Sequence, residues 1–450
     1  MALNATFRKT NYFLAVPELA TKQSAFGTPL LDATIDTREN CTVEIESNLD
    51  YGEELSCDQR DIINQPVKTR FRRFRLTFDR FTAKQAFRYL AYKEGATTAP
   101  TGTPANQVQT LTRSGTVSGG TFTLALTIEG RTGTTKPIAW DASNSAILAA
   151  INARFYGSLG KLVKTGDVAV SGSWGTAISL TFGNRLAKAN IPLLVVDATN
   201  LTGTTPDIDV AILTAGANKY HTATRAADGS KALFSIATGE LNGAIATRKY
   251  GDCVVESVDF NVSSDNTNAS MVVLILCPYT NEEITGFSVP PCINGVSVKA
   301  EDVRYLIDGV YEQENLVSHQ IALNDNIPVN AGFAFFDIDV TREFEAGNKP
   351  SQEFTSEIFG KSDHVVYQLA ENADVEGNEV ATQTHFGNPG HRVSIVAPET
   401  KIKPQTSIEG YSTEAKLSTI KFLGTPYGIS QNPFSVEYYG DETTQFLLTE

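Results

Sequence analysis

The sequence predicts a mainly β protein: a β-sandwich or barrel carrying one short helix, with a small α+β domain inserted into it. Three observations carry this. Short runs of period-two alternation recur from residue 41 to residue 438. Phe and Tyr are abundant, at 24 and 15, and Thr and Val recur throughout, a mix that suits pleated strands better than helices. The composition changes at about residue 107 and changes back at about 218: aromatics thin out and Gly, Thr and Ala dominate. At 450 residues the chain exceeds one ordinary core, so two compact units are expected.

The first strand is Cys41–Ser47, with Val43 and Ile45 on one face and Glu44 and Glu46 on the other. A long polar stretch, Asn48–Val67, follows and holds Asp50, Glu53, Glu54, Asp58, Arg60 and Asp61 beside the apolar Leu55, Ile62 and Ile63. The second strand places Phe74, Leu76 and Phe78 on one face and Arg73, Arg75, Thr77 and Asp79 on the other. A connection of about 20 residues far exceeds the usual hairpin loop of about 2–5, and long loops on rigid sheets usually have a task. Thr82 then caps a short amphipathic helix whose apolar stripe is Phe87, Leu90 and Ala91, and Gly95 stops it. ATTAPTGTPAN beyond it reads as a linker.

Between the linkers, strands are expected at Thr121–Glu129, Val168–Ser171, Ile178–Phe182 and Ile208–Leu213. A helix is expected over Ala142–Arg154 with Asp141 as its cap. Residues 107–218 therefore read as an inserted domain splitting a body formed by 1–106 and 219–450; such insertions survive at exposed loops. After 220 the alternation resumes. Val254, Val258, Phe260 and Val262 oppose Asp259 and Asn261, an Asn/Asp-rich turn follows, and SMVVLILCPY runs apolar on both faces, a hairpin of one half-exposed and one buried strand. Further strands are read at Phe336–Val340, Val393–Ile395, Ile420–Phe422 and Phe434–Tyr438.

A net charge of −14 argues against nucleic-acid reading and against anionic membranes, and it suits a surface past which DNA slides without sticking. No apolar run approaches the roughly 18 residues of a membrane helix, and Met1–Ala20 lacks the pattern of a signal peptide. The five cysteines form no CxxC pair; Cys253 and Cys277 read as buried free thiols and the protein as one that folds reduced.

The search for chemistry is thin. There is no GxSxG elbow and no HExxH. GSLGKL at 157–162 lacks the first glycine of a phosphate loop and has Leu162 where Ser or Thr would hold magnesium. The run Asn372–Gly377 resembles a calcium loop, but Gln383 replaces the bidentate Glu, so a solvated turn is the better reading. His385 and His391 bracket a Gly-Asn-Pro-Gly turn, where loop polarity outweighs a metal pair. The Arg cluster 70, 72, 73, 75 reads as a cross-strand ladder with Glu44 and Glu46, or with a neighbouring subunit, rather than as a phosphate grip. No cofactor, metal or catalytic residue is expected, and the chain reads as a building block made to assemble, not as an enzyme.

The opening strand, long polar loop, Arg-rich aromatic strand and short helix, followed by RKYGDCVVESVDFNVSSDNTNASMVVLIL and INGVSVKAEDVRYLIDG, resemble the tail tube proteins of long-tailed bacteriophages over roughly 25–105 and 225–425. GGTFTLALTIEGRTGTTKPIAWDASNSAILAAINAR with SLTFGNRLAKANIPLLVV resembles a small domain that decorates phage virion proteins. The resemblance implies a structural virion protein, made in the host cytoplasm, that forms stacked hexameric rings around a channel for genome ejection. Its partners would be further copies, other tail proteins (tape measure, tail terminator, baseplate) and passing DNA bound without sequence specificity. Glu44, Glu46, Arg73, Arg75, Asp259 and Asn261 would line a net acidic lumen. Asp50, Glu53, Glu54, Leu55, Asp58, Arg60, Ile62 and Ile63 would belong to a ring-stacking loop. The alternative is a baseplate, fibre or capsid decoration protein that binds host glycans or a virion partner; 450 residues is large for a tube protein.

Overall fold

The computed structural model describes residues 12–15, 41–51, 54–55, 62–64, 67–98, 102–155, 157–225, 232–240, 245–263, 265–278, 282–288, 297–311, 316–325, 351–359, 380–404, 419–426 and 434–440. It is mostly antiparallel β-structure, as the alternation predicts, and no barrel closes among the described residues.

The first segment supplies β1 (Tyr12–Ala15), β2 (Cys41–Tyr51), β3 (Glu54–Leu55), β4 (Ile62–Asn64), β5 (Val67–Phe78), α1 (Ala83–Glu94) and β6 (Gly95–Thr97). Thr82 caps α1 in a full capping box with Gln85, and Gly95 ends it at φ 87°, a left-handed position that suits glycine. The helix is not the amphipathic surface element its stripe suggests. Every residue from Gln85 to Glu94 is buried, because strands of the outer segments surround it. The linker also begins later than its composition implies, since Ala96 and Thr97 pair with Thr224 and Ala223.

The central segment holds β7 (Val108–Ile128), β8 (Arg131–Thr134), β9 (Ile138–Ala139), α2 (Asn144–Asn152), α3 (Leu159–Leu162), β10 (Val168–Ser173), β11 (Ala177–Phe182), β12 (Val195–Asp197) and β13 (Leu201–Thr214). β7 is the spine: its first half pairs with β11 and β13, its second half with β8, β9 and β12. Glycine is required where β13 crosses it. A Cβ on Gly115 would lie 1.9 Å from the Thr205 carbonyl oxygen, and one on Gly120 would lie 2.0 Å from that of Asn200. Ser143, not Asp141, caps α2, its hydroxyl accepting from the Ala146 N–H. Leu111, Phe122, Leu124, Ile147, Ile151, Leu180 and their neighbours form a core cluster of their own. Ala105 and Ala217 exchange backbone hydrogen bonds of 2.9 and 3.0 Å, so the segment leaves and re-enters the body at one point.

The last segment adds β14 (Lys219–Arg225), β15 (Phe234–Glu240), β16 (Ile245–Ser263), β17 (Ser270–Pro278), β18 (Glu282–Ser288), β19 (Val303–Ile307), β20 (Val310–Tyr311), β21 (Leu316–Asn324), β22 (Ser351–Phe359), β23 (Val380–Asn388), β24 (His391–Pro404), β25 (Thr419–Pro426) and β26 (Ser435–Gly440). One layer runs β2-β5-β17-β16-β21-β22-β25. The end of β24 continues it, and the start of β24 lies between β23 and β26 in a second layer that reaches β14 and β6. The layers share a core in which Phe260 stacks on Phe386 at 4.6 Å, Phe81 meets both, and Phe87 of α1 stacks on Tyr438 at 5.2 Å. Phe336–Val340 lie outside the described residues.

Two sequence expectations fail in β16. Val254 does not share a face with Val258, because a bulge between Val255 and Ser257 reverses the alternation: Val254 opposes Leu276, whereas Val258 opposes Val273 on the core side. Cys253 and Cys277 are not separate thiols. The register sets them opposite one another, 4.3 Å apart between Cα atoms, and they form a disulfide.

Candidate functional site

The strands predicted to line a lumen are neighbours, in the order β2-β5-β17-β16. Glu44 stands opposite Arg75 and Glu46 opposite Arg73. Arg75 opposes Leu274 and Thr77 opposes Val272, which in turn opposes Asp259; Asn261 opposes Ser270. Strand side chains alternate and directly opposed residues share a face. Glu44, Arg73, Arg75, Asp259 and Asn261 therefore lie on the face turned away from the Phe74–Leu76–Phe78 core, and Glu46 holds the matching register position. β17 contributes the apolar Val272, Leu274 and Leu276 to the middle of this face. Glu44, Arg75 and Asn261 are exposed.

The register matches the expected Glu–Arg ladder, and among the described side chains Arg73 pairs across the sheet. Its Nε and Nη2 reach Glu256 Oε2 and Oε1 at 2.8 and 3.0 Å, a two-pronged bond to a carboxylate on β16. Glu256 is the bulged residue, which is how a position between two core valines comes to face an arginine two strands away. Asp259 is half-buried. Burial raises its carboxyl above the usual range, against the pull of the Leu323 N–H, the Arg75 charge and the Ser257 hydroxyl. The described acids of this face, Glu44, Glu256 and Asp259, outnumber Arg73 and Arg75.

The polar stretch after β2 is partly strand. β2 continues through Asp50 to Tyr51, which pairs with Val67, so the hairpin extends past Asn48. Beyond it Leu55 pairs with Ile62 and Glu54 with Asn64, and Ile63 lies in the same short ladder. Glu53, Asp58 and Arg60 lie outside the described residues, as does the run Asn372–Gly377.

Other candidate chemistry is absorbed by structure. GSLGKL forms the one-turn helix α3, and Gly160 packs against the carbonyl oxygens of Asn152 and Ala153 rather than opening a phosphate cradle. His385 is buried with Nδ1 2.7 Å from Ser394 Oγ, and burial with the Arg392 and Arg304 charges pushes its pKa well down. His391 meets Tyr438 edge-on. Among the described residues no three His, Cys, Asp or Glu are grouped to hold a metal ion. Both tryptophans, Trp140 and Trp174, sandwich Arg113 at 4.7 and 4.3 Å, which closes the β7–β9 region with a cation–π staple.

Sequence reading missed the joint between the central segment and the body. Glu129, in the turn after β7 at φ 49°, accepts from Arg304 Nε at 3.0 Å and from Arg392 Nη1 at 2.6 Å. Arg185 grips buried Asp167 at 2.9 Å and reaches Asp302 at 3.5 Å, and Lys164 meets Glu301 at 2.5 Å. Gly390 approaches so closely that a Cβ there would sit 1.8 Å from the Ala187 carbonyl oxygen. Residues 175 and 263 apart in sequence meet here, and no local pattern announces such pairs.

No protein family matches the chain, and no curated protein is similar to it.

Proposed function

We propose that this chain is a structural virion protein whose copies form stacked rings of a phage tail tube, and that it is not an enzyme. One observation carries the reading. The polar face of β2-β5-β17-β16 lies on an open sheet whose outermost strand, β2, pairs among described residues with β5 alone along its length. A strand of this length with a bare edge invites pairing with another chain, and closure of several copies into a ring removes every edge at once. The channel wall is then the Glu44–Arg75–Asp259 face, where acids outnumber bases and phosphates find few partners. The hairpin that continues through β3 and β4 is the contact to the next ring. The central segment decorates the outside.

The alternative is a baseplate, fibre or capsid decoration protein that binds a host glycan or a virion partner. The separate core of the central segment and its charged joint to the body favour it. Negative-stain microscopy of the purified protein separates the two. Rings and tubes support the tube reading; a monodisperse particle at concentrations well above the micromolar range refutes it and leaves the decoration reading.

A further inference from the structure

Among the described residues two Lys or Arg side chains are buried, Lys93 and Arg88, at 1 and 4 % exposure, and both stand on α1. The fold treats them differently. Lys93 is met by Glu94 and Asp325. Arg88 has Nε and Nη1 buried with no hydrogen-bond partner among the described residues. The helix itself supplies no counter-ion, because the positions one turn away are Lys84, Gln85, Ala91 and Tyr92. Gln85 Oε1 already accepts from the Thr82 N–H, and the Tyr92 ring packs on Phe234 at 4.5 Å. Long side chains of a helix lean toward its N-terminus, which carries the Arg88 guanidinium toward half-buried Lys84 and away from buried Tyr92. A buried cation without an anion is among the costliest arrangements a fold can hold.

We infer that Arg88 is a seat for a carboxylate that the free chain does not supply. A single guanidinium matches a monoanion in charge, whereas a phosphate dianion would exchange one buried charge for another. The two open donors lie on different fork edges of the guanidinium, so a planar two-oxygen acceptor finds a donor on either edge. The same chain already answers two other arginines in this way. Glu256 takes Arg73 in two prongs, and Asp167 takes Arg185 by Nε and Nη2. An exposure of 4 % admits the tip of a side chain or a small acid, and excludes a nucleic-acid backbone. Two sources share this chemistry. One is a free small carboxylate; the other is an Asp or Glu of a second copy, and with 51 acidic residues against 37 Lys and Arg each copy presents acids in excess. The inference stands apart from the tube reading, since a chain that forms no rings can still seat a carboxylate.

The sign of one substitution tests this on the full chain. Arg88→Met keeps an aliphatic stem and removes the charge. In sodium chloride at sub-micromolar protein it should raise the thermal midpoint by about 3 °C or more, because an uncompensated buried charge is gone. An arginine already paired within the free chain gives the opposite sign, so a fall in the midpoint, or a variant that does not fold, overturns the inference. Two titrations of wild type name the source. A saturable rise in the midpoint as sodium acetate replaces sodium chloride at fixed ionic strength, absent from R88M, assigns a free carboxylate. A rise with protein concentration in chloride, also absent from R88M, assigns a second copy. A wild type that responds to neither overturns the inference. Arg88→Lys keeps the charge and loses the fork. It should fold as wild type does and need about tenfold more of whichever ligand raises the wild-type midpoint; an equal response overturns the seat.

Discussion

Among the described residues Lys93 is the most deeply buried cation of the body, and its replacement by Met makes a sharp prediction. The ammonium is 1 % exposed, 3.1 Å from Glu94 Oε1 and 2.9 Å from Asp325 Oδ1, and these two carboxylates are themselves only 7 and 6 % exposed. Met keeps most of the aliphatic stem and its packing, so the loss is electrostatic. Two nearly dry carboxylates are left without their cation, a situation that costs about 3–5 kcal/mol. For a unit of this size that lowers the thermal midpoint by on the order of 10 °C. Replacing all three charges, as K93M/E94Q/D325L, should recover most of the loss, because the pairing offsets a desolvation cost that the apolar variant never meets.

The two tryptophans give the assay its resolution. Trp140 and Trp174 both lie in the central segment, so their fluorescence follows that segment, while far-UV circular dichroism is dominated by the body. K93M should move the dichroism transition in urea and leave the fluorescence transition nearly in place. The pH arm has a definite sign. Burial pulls the Lys93 pKa down, but Glu94 and Asp325 outweigh it and the net shift is upward from 10.5. Its contribution is thus complete below pH 10.5 and lost as pH rises through the folded value. Wild type should lose stability in alkali faster than K93M does. A K93M dichroism midpoint within the equivalent of about 1 kcal/mol of wild type would falsify the reasoning.

Four further outcomes follow from the geometry. His319, fully buried against Tyr305 and Thr384, has its pKa pushed down to about 3 by burial; a depressed histidine loses stability as pH falls from 6.5 toward that value, so wild type should weaken by roughly 2 kcal/mol between pH 7 and pH 5 and His319→Leu should show a flatter slope in urea titrations. Glu129→Ala strands Arg304 and Arg392 at 16 and 19 % exposure; a loss of about 2–3 kcal/mol should appear as a widened gap between the fluorescence and dichroism transitions, and an unchanged gap refutes the joint. Deleting 107–217 behind a short Gly/Ser linker should leave a cooperatively folding body, because Ala105 and Ala217 already touch; insoluble protein with every linker refutes the boundary. Hydrogen exchange over 52–66 should be fast in the free subunit and slow in the polymer, and equal protection in both removes the stacking role.

What the sequence made legible was local. Alternation gave β2, β5 and β16, a doubly apolar run gave β17, the Thr82 and Gly95 caps of α1 stood where capping chemistry put them, and the glutamate–arginine register of β2 and β5 was readable from two opposed stripes. What it hid was long-range. Glu256 looks like one more polar residue between valines until the bulge turns it toward Arg73, and a period-two reading carried through a bulge assigns Val254 to the wrong face. α1 shows an apolar stripe and a polar back, yet Lys93 is buried because Asp325, 232 residues away, waits for it. The first half of β7 lies outside the strands expected from the sequence because SGTVSGG lacks large apolar residues; its glycines are there for the close passage of β13.

The joint also bears on how an inserted segment can matter to the rest of the chain. A segment whose two ends meet at Ala105 and Ala217 is held at one point, and one point of attachment leaves its orientation free. Glu129 lies at the opposite end of β7 from that point, and there two arginines from β19 and β24 close on it. The two attachments together define an orientation that neither defines alone. The backbone of Glu129 lies in the left-handed region because Glu129 and Gly130 form the two-residue turn that joins β7 to β8, and that turn holds the carboxylate out toward the two arginines. Whether the body closes into a ring or stands alone, the central segment is presented at a set angle.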